Sequence, residues 1–139
     1  SLAGAPITGA APVVVPRSLR VLVVDDNRES AKTLGQLIEL LGHQTWVAFD
    51  GPEALVLAER EVPDLVLMDI GMPDMNGYQA CERMKRMPAL RATVMVAQTG
   101  WSEKRHNMLS REAGFDHHLV KPVDLQALEQ LLTEVAVKR

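Results

Sequence analysis

The chain has 139 residues, with 15 lysine and arginine residues against 18 aspartate and glutamate residues, so its formal net charge is −3. This length suits one domain with one hydrophobic core, and the weakly acidic balance excludes a nucleic-acid binder that works through bulk positive charge. No segment approaches the ~20 consecutive apolar residues of a membrane-spanning helix. The single cysteine, Cys81, has no partner for an internal disulfide. We therefore expect a domain from a reducing compartment, the cytoplasm, without membrane contact.

Residues 1–17 differ in composition from the rest of the chain. They hold three of the eight prolines and no acidic residue. They also lack the basic start and the unbroken apolar core of a signal peptide. We interpret 1–17 as a flexible linker or a cloning remnant, and 18–139 as the folded domain. A linker here implies a further domain upstream.

From Leu19 onward, short β-branched runs alternate with segments of helical spacing. The predicted strands cover residues 21–24, 43–49, 64–69, 93–98 and 116–120. The predicted helices cover residues 29–42, 52–61, 77–87, 102–114 and 124–136. This alternation predicts an α/β fold with a parallel sheet between two helix layers. The apolar first and third strands are typical of central strands, and the more polar fifth strand of an edge.

Turn and cap residues agree with these boundaries. Gly42 and Gly114 are the last residues of two predicted helices, at positions where a helix commonly ends in a left-handed residue. Pro52 lies at the first helical position of the second helix, and Ser102 and Asp124 are candidate N-caps.

Polar side chains follow four of the five predicted strands. Asp25 and Asp26 come after the first, Asp69 ends the third, Thr99 follows the fourth and Lys121 the fifth. Because the carboxyl ends of parallel strands meet at one edge of the sheet, we expect these side chains to converge. Neighbouring carboxylates need compensating positive charge, which the lysine and a divalent cation bound through oxygen, such as Mg²⁺, would supply. A metal, an ammonium group and a hydroxyl around a nucleophilic carboxylate are the parts of a phosphoryl-transfer site.

The same residues carry a family resemblance, which extends over residues 19–137. The segments VLVVDDN and LVLMDIGMPDMNG, the Thr99–Gly100 step and the segment LVKPVD resemble the receiver domain of two-component response regulators. The resemblance implies a doubly wound (βα)5 fold of the flavodoxin-like receiver type, with a five-stranded parallel sheet in the order 2-1-3-4-5. Residues 18–139 would then be the receiver domain.

The resemblance also implies a function and partners. The chain would take a phosphoryl group from a histidine kinase or its phosphohistidine domain, and a histidine phosphotransfer domain is a further candidate partner. No nucleic acid is implied. The chain would be a phospho-acceptor that promotes its own phosphorylation and dephosphorylation rather than an enzyme acting on other molecules.

Residue roles follow from the resemblance position by position. Asp69 matches the phosphoacceptor. Asp26 matches a direct Mg²⁺ ligand, Asp25 a ligand that acts largely through water, and Gly71 the residue that offers its backbone carbonyl to the metal.

Further positions match the receiver switch. Thr99 matches the switch hydroxyl and Lys121 the ion-pair lysine, with Gly100 beside the hydroxyl and Pro122 forming a cis peptide with the lysine. His118 departs from the pattern, because receivers usually place tyrosine or phenylalanine three residues before the lysine.

Three other functions fit the sequence less well. A phosphatase of the haloacid dehalogenase type needs a second aspartate two residues after the nucleophile, where this chain has Gly71. Dinucleotide binding needs glycines after the first strand, where this chain has DDNRES. A degenerate receiver that binds partners without phosphorylation is disfavoured because each phosphorylation-site residue is present. For the parent protein, the resemblance is strongest to receivers at the C-terminus of hybrid sensor histidine kinases, with a free-standing regulator as the alternative.

Overall fold

The computed structural model describes residues 17–100 and 113–138. The predicted linker, apart from Arg17, lies outside these ranges. So does most of the predicted helix 102–114, including the candidate cap Ser102.

The elements alternate along the chain as the periodicity predicts. The strands are β1 (Arg20–Val24), β2 (Gln44–Ala48), β3 (Leu65–Asp69), β4 (Val94–Thr99) and β5 (His117–Val120). The helices of the described ranges, numbered here in chain order, are α1 (Arg28–Leu40), α2 (Gly51–Glu61), α3 (Gly77–Lys85) and α4 (Leu125–Lys138). The strands form one parallel sheet in the order β2-β1-β3-β4-β5, which confirms the predicted fold and the edge position of β5.

Most element boundaries differ from the predictions by one or two residues, and one of these differences has a clear local cause. The third helix was expected to reach residue 87, but α3 ends at Lys85, and Pro88–Leu90 form a separate 3₁₀ turn. Because proline disfavours a helical residue before it and lacks an N–H, Pro88 restarts the chain as a new turn rather than extending α3.

Two apolar layers hold the helices on the sheet. The side chains of each strand alternate between its two faces. One layer joins Leu22, Val24, Val66 and Met68 of the strands to residues of α2 and α3. The other joins Val21, Val23, Leu65, Leu67 and Val96 to residues of α1 and α4. Both faces of the sheet are therefore covered, and its carboxyl edge is left for polar residues.

Local hydrogen bonds fix where helices begin at that edge. The side chains of Asn27, Asp50 and Asn76 accept from backbone N–H groups in the first turns of α1, α2 and α3. The predicted cap of the last helix is confirmed, since Asp124 accepts from the backbone N–H of Ala127 at 3.3 Å.

Glycines close two of the connections. Gly42 and Gly114 have φ values of 97° and 105°, as expected from their positions at the ends of predicted helices. Within the described ranges, no helix combines the length and the apolar character needed to span a bilayer.

Candidate functional site

Three carboxylates meet at the carboxyl edge of the sheet. Asp25 follows β1 directly and Asp69 ends the neighbouring β3, where Val24 pairs with Met68. One carboxylate oxygen each from Asp25, Asp26 and Asp69 lies within 4.8 Å of the others. The structure thus brings together the three aspartates that the sequence singled out.

Lys121 bridges two of these carboxylates. Its Nζ lies 3.3 Å from Oδ2 of Asp25 and 3.2 Å from Oδ1 of Asp69. The lysine follows β5, and its backbone N–H donates to the carbonyl oxygen of Thr99 at 2.8 Å. The Lys121–Pro122 peptide bond is cis, as the resemblance implies.

Burial differs sharply among the aspartates. Asp25 is 2% exposed and Asp69 7% exposed, whereas Asp26 is exposed to solvent. Asp25 Oδ1 accepts from the backbone N–H of Asn27 at 2.9 Å, and Asp69 Oδ1 accepts from that of Gly71 at 3.1 Å. The buried carboxylates are therefore held by the protein, while Asp26 faces water.

The electrostatics of the cluster follow from this burial. Burial raises the pKa of Asp25, and the nearby charge of Asp69 raises it further; the Asn27 N–H and Lys121 offset only part of the effect. Burial by itself would lower the pKa of Lys121, but attraction to Asp69 and Asp25 outweighs burial and raises it. The lysine therefore stays charged, and three carboxylates around one ammonium group leave an excess of negative charge.

This donor set fits a small divalent cation. Carboxylate oxygens are the ligands that Mg²⁺ prefers. Ligands around an octahedral ion with bonds of ~2.1 Å lie ~3–4 Å apart, and the three aspartate oxygens lie within 4.8 Å of one another. The excess negative charge is the electrostatic condition for binding such an ion.

A cavity of about 470 Å³ lies over Asp69. Its lining includes Thr99, the 7%-exposed last residue of β4, together with Gly71, Gly100 and Lys121. The hydroxyl-bearing residue and the lysine expected beside the acceptor therefore share one space with it.

Two residues that the sequence matched to the receiver switch, His118 and Pro122, do not line this cavity. His118 lies half-buried on β5, opposite Ala97, and it is not part of the lining of this cavity. Pro122 lines a neighbouring groove.

Sequence reasoning assigned no role to two residues that the structure places at the site. Asn27 donates its backbone N–H to Asp25 and caps α1 with its side chain, and its signal was an N-cap residue type before a helix. Gln98 is 2% exposed and lines both the cavity and the groove, and its signal was an amide in an otherwise apolar strand.

The family comparison matches residues 21–133 to the response regulator receiver domain. The chain belongs to the receiver family. One relative of this receiver domain is protein PilH of Pseudomonas aeruginosa, 33% identical over 116 residues that cover 84% of this chain and 96% of PilH. Another is the signal transduction histidine-protein kinase BarA of Escherichia coli strain K12, 33% identical over 115 residues that cover 83% of this chain and 12% of BarA.

A solved structure agrees with this assignment. The signal receiver domain of a signal transduction histidine kinase from Syntrophus aciditrophicus matches with a TM-score of 0.79 and 30% identity, over 87% of this chain and 92% of that one. The receiver domain also spans 24% of the response regulator PleD of Caulobacter vibrioides, with 34% identity over 107 residues. It therefore covers only a small share of some relatives and nearly the whole of others.

Proposed function

We propose that this receiver domain accepts a phosphoryl group on Asp69 from the phosphohistidine of a histidine kinase, with Mg²⁺ as its cofactor. One observation carries the proposal: Lys121 Nζ stands 3.2 Å from Asp69 Oδ1, inside a cluster of three carboxylates. Phosphoryl transfer to a carboxylate requires a nucleophilic carboxylate oxygen, a fixed ammonium group and oxygen ligands for a cation.

The residues around Asp69 stabilise the negative charge of the phosphoryl group during its transfer. A carboxylate oxygen of Asp69 forms a bond to phosphorus while the P–N bond of phosphohistidine breaks, and the electron pair stays on the leaving imidazole nitrogen. Lys121 offsets negative charge on the phosphoryl oxygens, and the Thr99 hydroxyl donates to one of them. The phosphohistidine belongs to the kinase or to a histidine phosphotransfer domain, which are the partners of this receiver.

The metal ligands divide by exposure. Asp26, which faces solvent, would hold the ion directly, whereas both oxygens of Asp25 already accept hydrogen bonds, so Asp25 would act mainly through water. Asp69 and the backbone carbonyl of Gly71 complete the set. When bound, Mg²⁺ supplies charge compensation for the phosphoryl oxygens.

Phosphorylation then changes the conformation of the side of the sheet that strands β4 and β5 form. A phosphoryl group adds ~1.5–2 negative charges and draws Thr99 and Lys121 towards it. Thr99 ends β4 and Lys121 follows β5. The conformational change therefore spreads along strands β4 and β5, which include His118, and through the adjoining backbone of Gly100 and Pro122. The domain is a phospho-acceptor that promotes its own phosphorylation and dephosphorylation, and it works in the cytoplasm.

The parent protein is a hybrid sensor histidine kinase that carries this receiver at its C-terminus. The match to a short segment of BarA and the Pro- and Ala-rich residues 1–17 support this placement. A free-standing single-domain response regulator is the second candidate, because the chain spans 96% of PilH.

Acetyl phosphate treatment tests the proposal. Intact mass should show one phosphoryl adduct in the presence of Mg²⁺ and none after chelation of the metal. Asp69→Asn should abolish the adduct. Asp74→Asn is the matched control, since Asp74 is exposed in the same loop at a φ of 62° that asparagine tolerates. The same adduct stoichiometry in Asp69→Asn would show that the acceptor is another residue.

A further inference from the structure

The carboxyl edge of the sheet, where Asp69 lies, is strongly acidic. Within the described ranges, the strand ends, loops and first helical turns at this edge carry many carboxylates but few cations. The carboxylates are Asp25, Asp26, Glu29, Asp50, Glu53, Asp69, Asp74 and Asp124, and the cations are Arg28 and Lys121. A phosphoryl donor is an anion, so this edge repels it unless positive charge offsets the carboxylates.

The two cations of this edge differ in their partners. Lys121 is shared between Asp25 and Asp69, at 3.3 Å and 3.2 Å. Arg28 is exposed, and none of the ion pairs found within the described ranges includes it. Arg28 is therefore the cation of the described edge whose charge no carboxylate offsets at ion-pair distance.

Helix stability does not account for a cation at position 28. Arg28 is the first residue of α1, and the N-terminal end of a helix carries a partial positive charge that disfavours a cation. The first turns of the other described helices hold no basic residue. A residue that conflicts with its local environment in this way is typical of a functional site.

An aromatic ring holds the Arg28 side chain instead of a carboxylate. Its Cζ lies over the ring of Phe49, 4.3 Å from the centroid, where the quadrupole of the ring attracts a cation. Phe49 is itself fixed, since it packs half-buried on the layer of α1 and α4 and donates its backbone N–H to Oε1 of Glu53 at 2.7 Å. The contact with the ring uses no carboxylate, so the N–H donors of the guanidinium stay available to an anion.

The strand order places this charge near the phosphoacceptor. Phe49 follows β2, whose last residue, Ala48, accepts from the backbone N–H of Asp25 at 3.1 Å, and Asp69 ends β3 on the other side of β1. Neighbouring strands lie ~4.8 Å apart, so the backbone at Phe49 and at Asp69 is separated by two strand spacings, ~10 Å. This is about one Debye length at 0.1 M salt, a distance over which charges still interact.

We propose that Arg28 is the entry residue of this site: its guanidinium attracts an anionic phosphodonor to the acidic edge and binds it before transfer to Asp69. Acyl phosphates and phosphohistidine belong to this class, because both present a negatively charged phosphoryl group. This role rests on the proposed function. It makes the labelling rate depend more strongly on Arg28 as the negative charge of the donor increases.

Labelling rates with acetyl phosphate and Mg²⁺ test the entry role. Arg28→Gln should be labelled about two- to fourfold more slowly than the wild type at low ionic strength, whereas Arg28→Lys, which keeps the charge, should retain most of the rate. The loss in Arg28→Gln should shrink in high salt, and should be smaller with phosphoramidate, which carries less negative charge at neutral pH.

Arg20→Gln is the matched control. The Arg20 guanidinium also lies over an aromatic ring, that of Trp46 at 5.0 Å, but Arg20 begins β1 and so lies at the opposite end of the strand from Asp25. The variant makes the same change of charge and should be labelled at the wild-type rate. Equal rates for Arg28→Gln and Arg20→Gln, or a loss in Arg28→Gln that salt leaves unaltered, would overturn the proposal.

A second measurement needs no phosphoryl transfer. Acetonylphosphonate, an unreactive analogue of acetyl phosphate, is titrated into the whole chain with Mg²⁺ while the arginine side-chain Nε–H signals are followed in ¹⁵N–¹H spectra. The Arg28 signal should shift progressively and the Arg20 signal should not. An unmoved Arg28 signal would overturn the entry role even where Asp69 is labelled. A shifted Arg28 signal in a chain that acetyl phosphate never labels would support anion binding at Arg28 and count against the proposed function instead.

Discussion

Gly77 lies directly against the backbone of Asp69. A β-carbon added to Gly77 would stand 2.6 Å from the carbonyl oxygen of Asp69 and 2.8 Å from the α-carbon of Ile70. The backbone N–H of Gly77 also donates to the carbonyl oxygen of Ile70 at 3.1 Å. The start of α3 is thus pressed onto the end of β3, and the absence of a side chain at Gly77 makes this contact possible.

Replacing Gly77 with alanine should therefore destabilise the domain. Backbone atoms cannot move aside as a flexible side chain would, so we expect Gly77→Ala to lower the free energy of unfolding by ~1–3 kcal/mol in urea titrations. Gly71→Ala is the matched control, because its β-carbon would meet only Oδ1 of Asp69, at 3.8 Å. That variant should stay within ~0.5 kcal/mol of the wild type. Equal stability of the two variants would show that the Gly77 contact relaxes without cost.

His43 should make stability depend on pH. The backbone N–H of Leu19 donates to Nδ1 of His43 at 2.9 Å, and burial lowers the pKa of the imidazole. Because the folded pKa lies below the unfolded value of ~6.5, the contribution of His43 is fully present above that value and is lost as the pH falls through the folded pKa.

The variant His43→Asn isolates this effect, since an amide oxygen can still accept from Leu19 but does not titrate. The free energy of unfolding of the wild type should fall more steeply below pH ~6.5 than that of His43→Asn. Parallel pH profiles for the two proteins would exclude His43 as the source.

Asp25 should destabilise the metal-free domain at neutral pH. Its pKa is raised, mainly by burial and also by Asp69, so the folded state binds the proton more tightly than the unfolded state does. The contribution of Asp25 is present at low pH and is lost as the pH rises through the folded pKa. Asp25→Asn should thus melt at a higher temperature than the wild type at pH 7, with Asp74→Asn unchanged. A lower melting temperature for Asp25→Asn would mean that the Lys121 ion pair outweighs burial.

Mg²⁺ should stabilise the domain, and variants that lose a metal ligand should be stabilised less than variants that do not. Binding to the folded state raises the melting temperature as the metal concentration increases. Asp26→Asn should remove most of this rise, because we propose the exposed Asp26 carboxylate as the direct ligand of the ion. Lys121→Ala should keep the rise, since it removes a positive charge and no oxygen ligand. Thermal melts at several Mg²⁺ concentrations measure this rise for the wild type and each variant. A rise in Asp26→Asn as large as in the wild type would show that Asp26 is not a metal ligand.

Most of the architecture could be predicted from the sequence because it depends on local patterns. Apolar runs marked the central strands, helical spacing marked the helices, and Gly42 and Asp124 marked where helices end and begin. Parallel strands align their carboxyl ends, so the approach of Asp25, Asp26 and Asp69 also followed from position after each strand.

Tertiary packing decided the contacts that these patterns do not contain. Lys121 and Asp25 are separated by 96 positions, and only the assembled sheet places the ammonium group between two carboxylates rather than beside one. The exclusion of a side chain at Gly77 likewise depends on which atoms surround that residue in space. Periodicity states which face a residue occupies. Distances, burial and hydrogen-bond partners arise only when distant segments pack together.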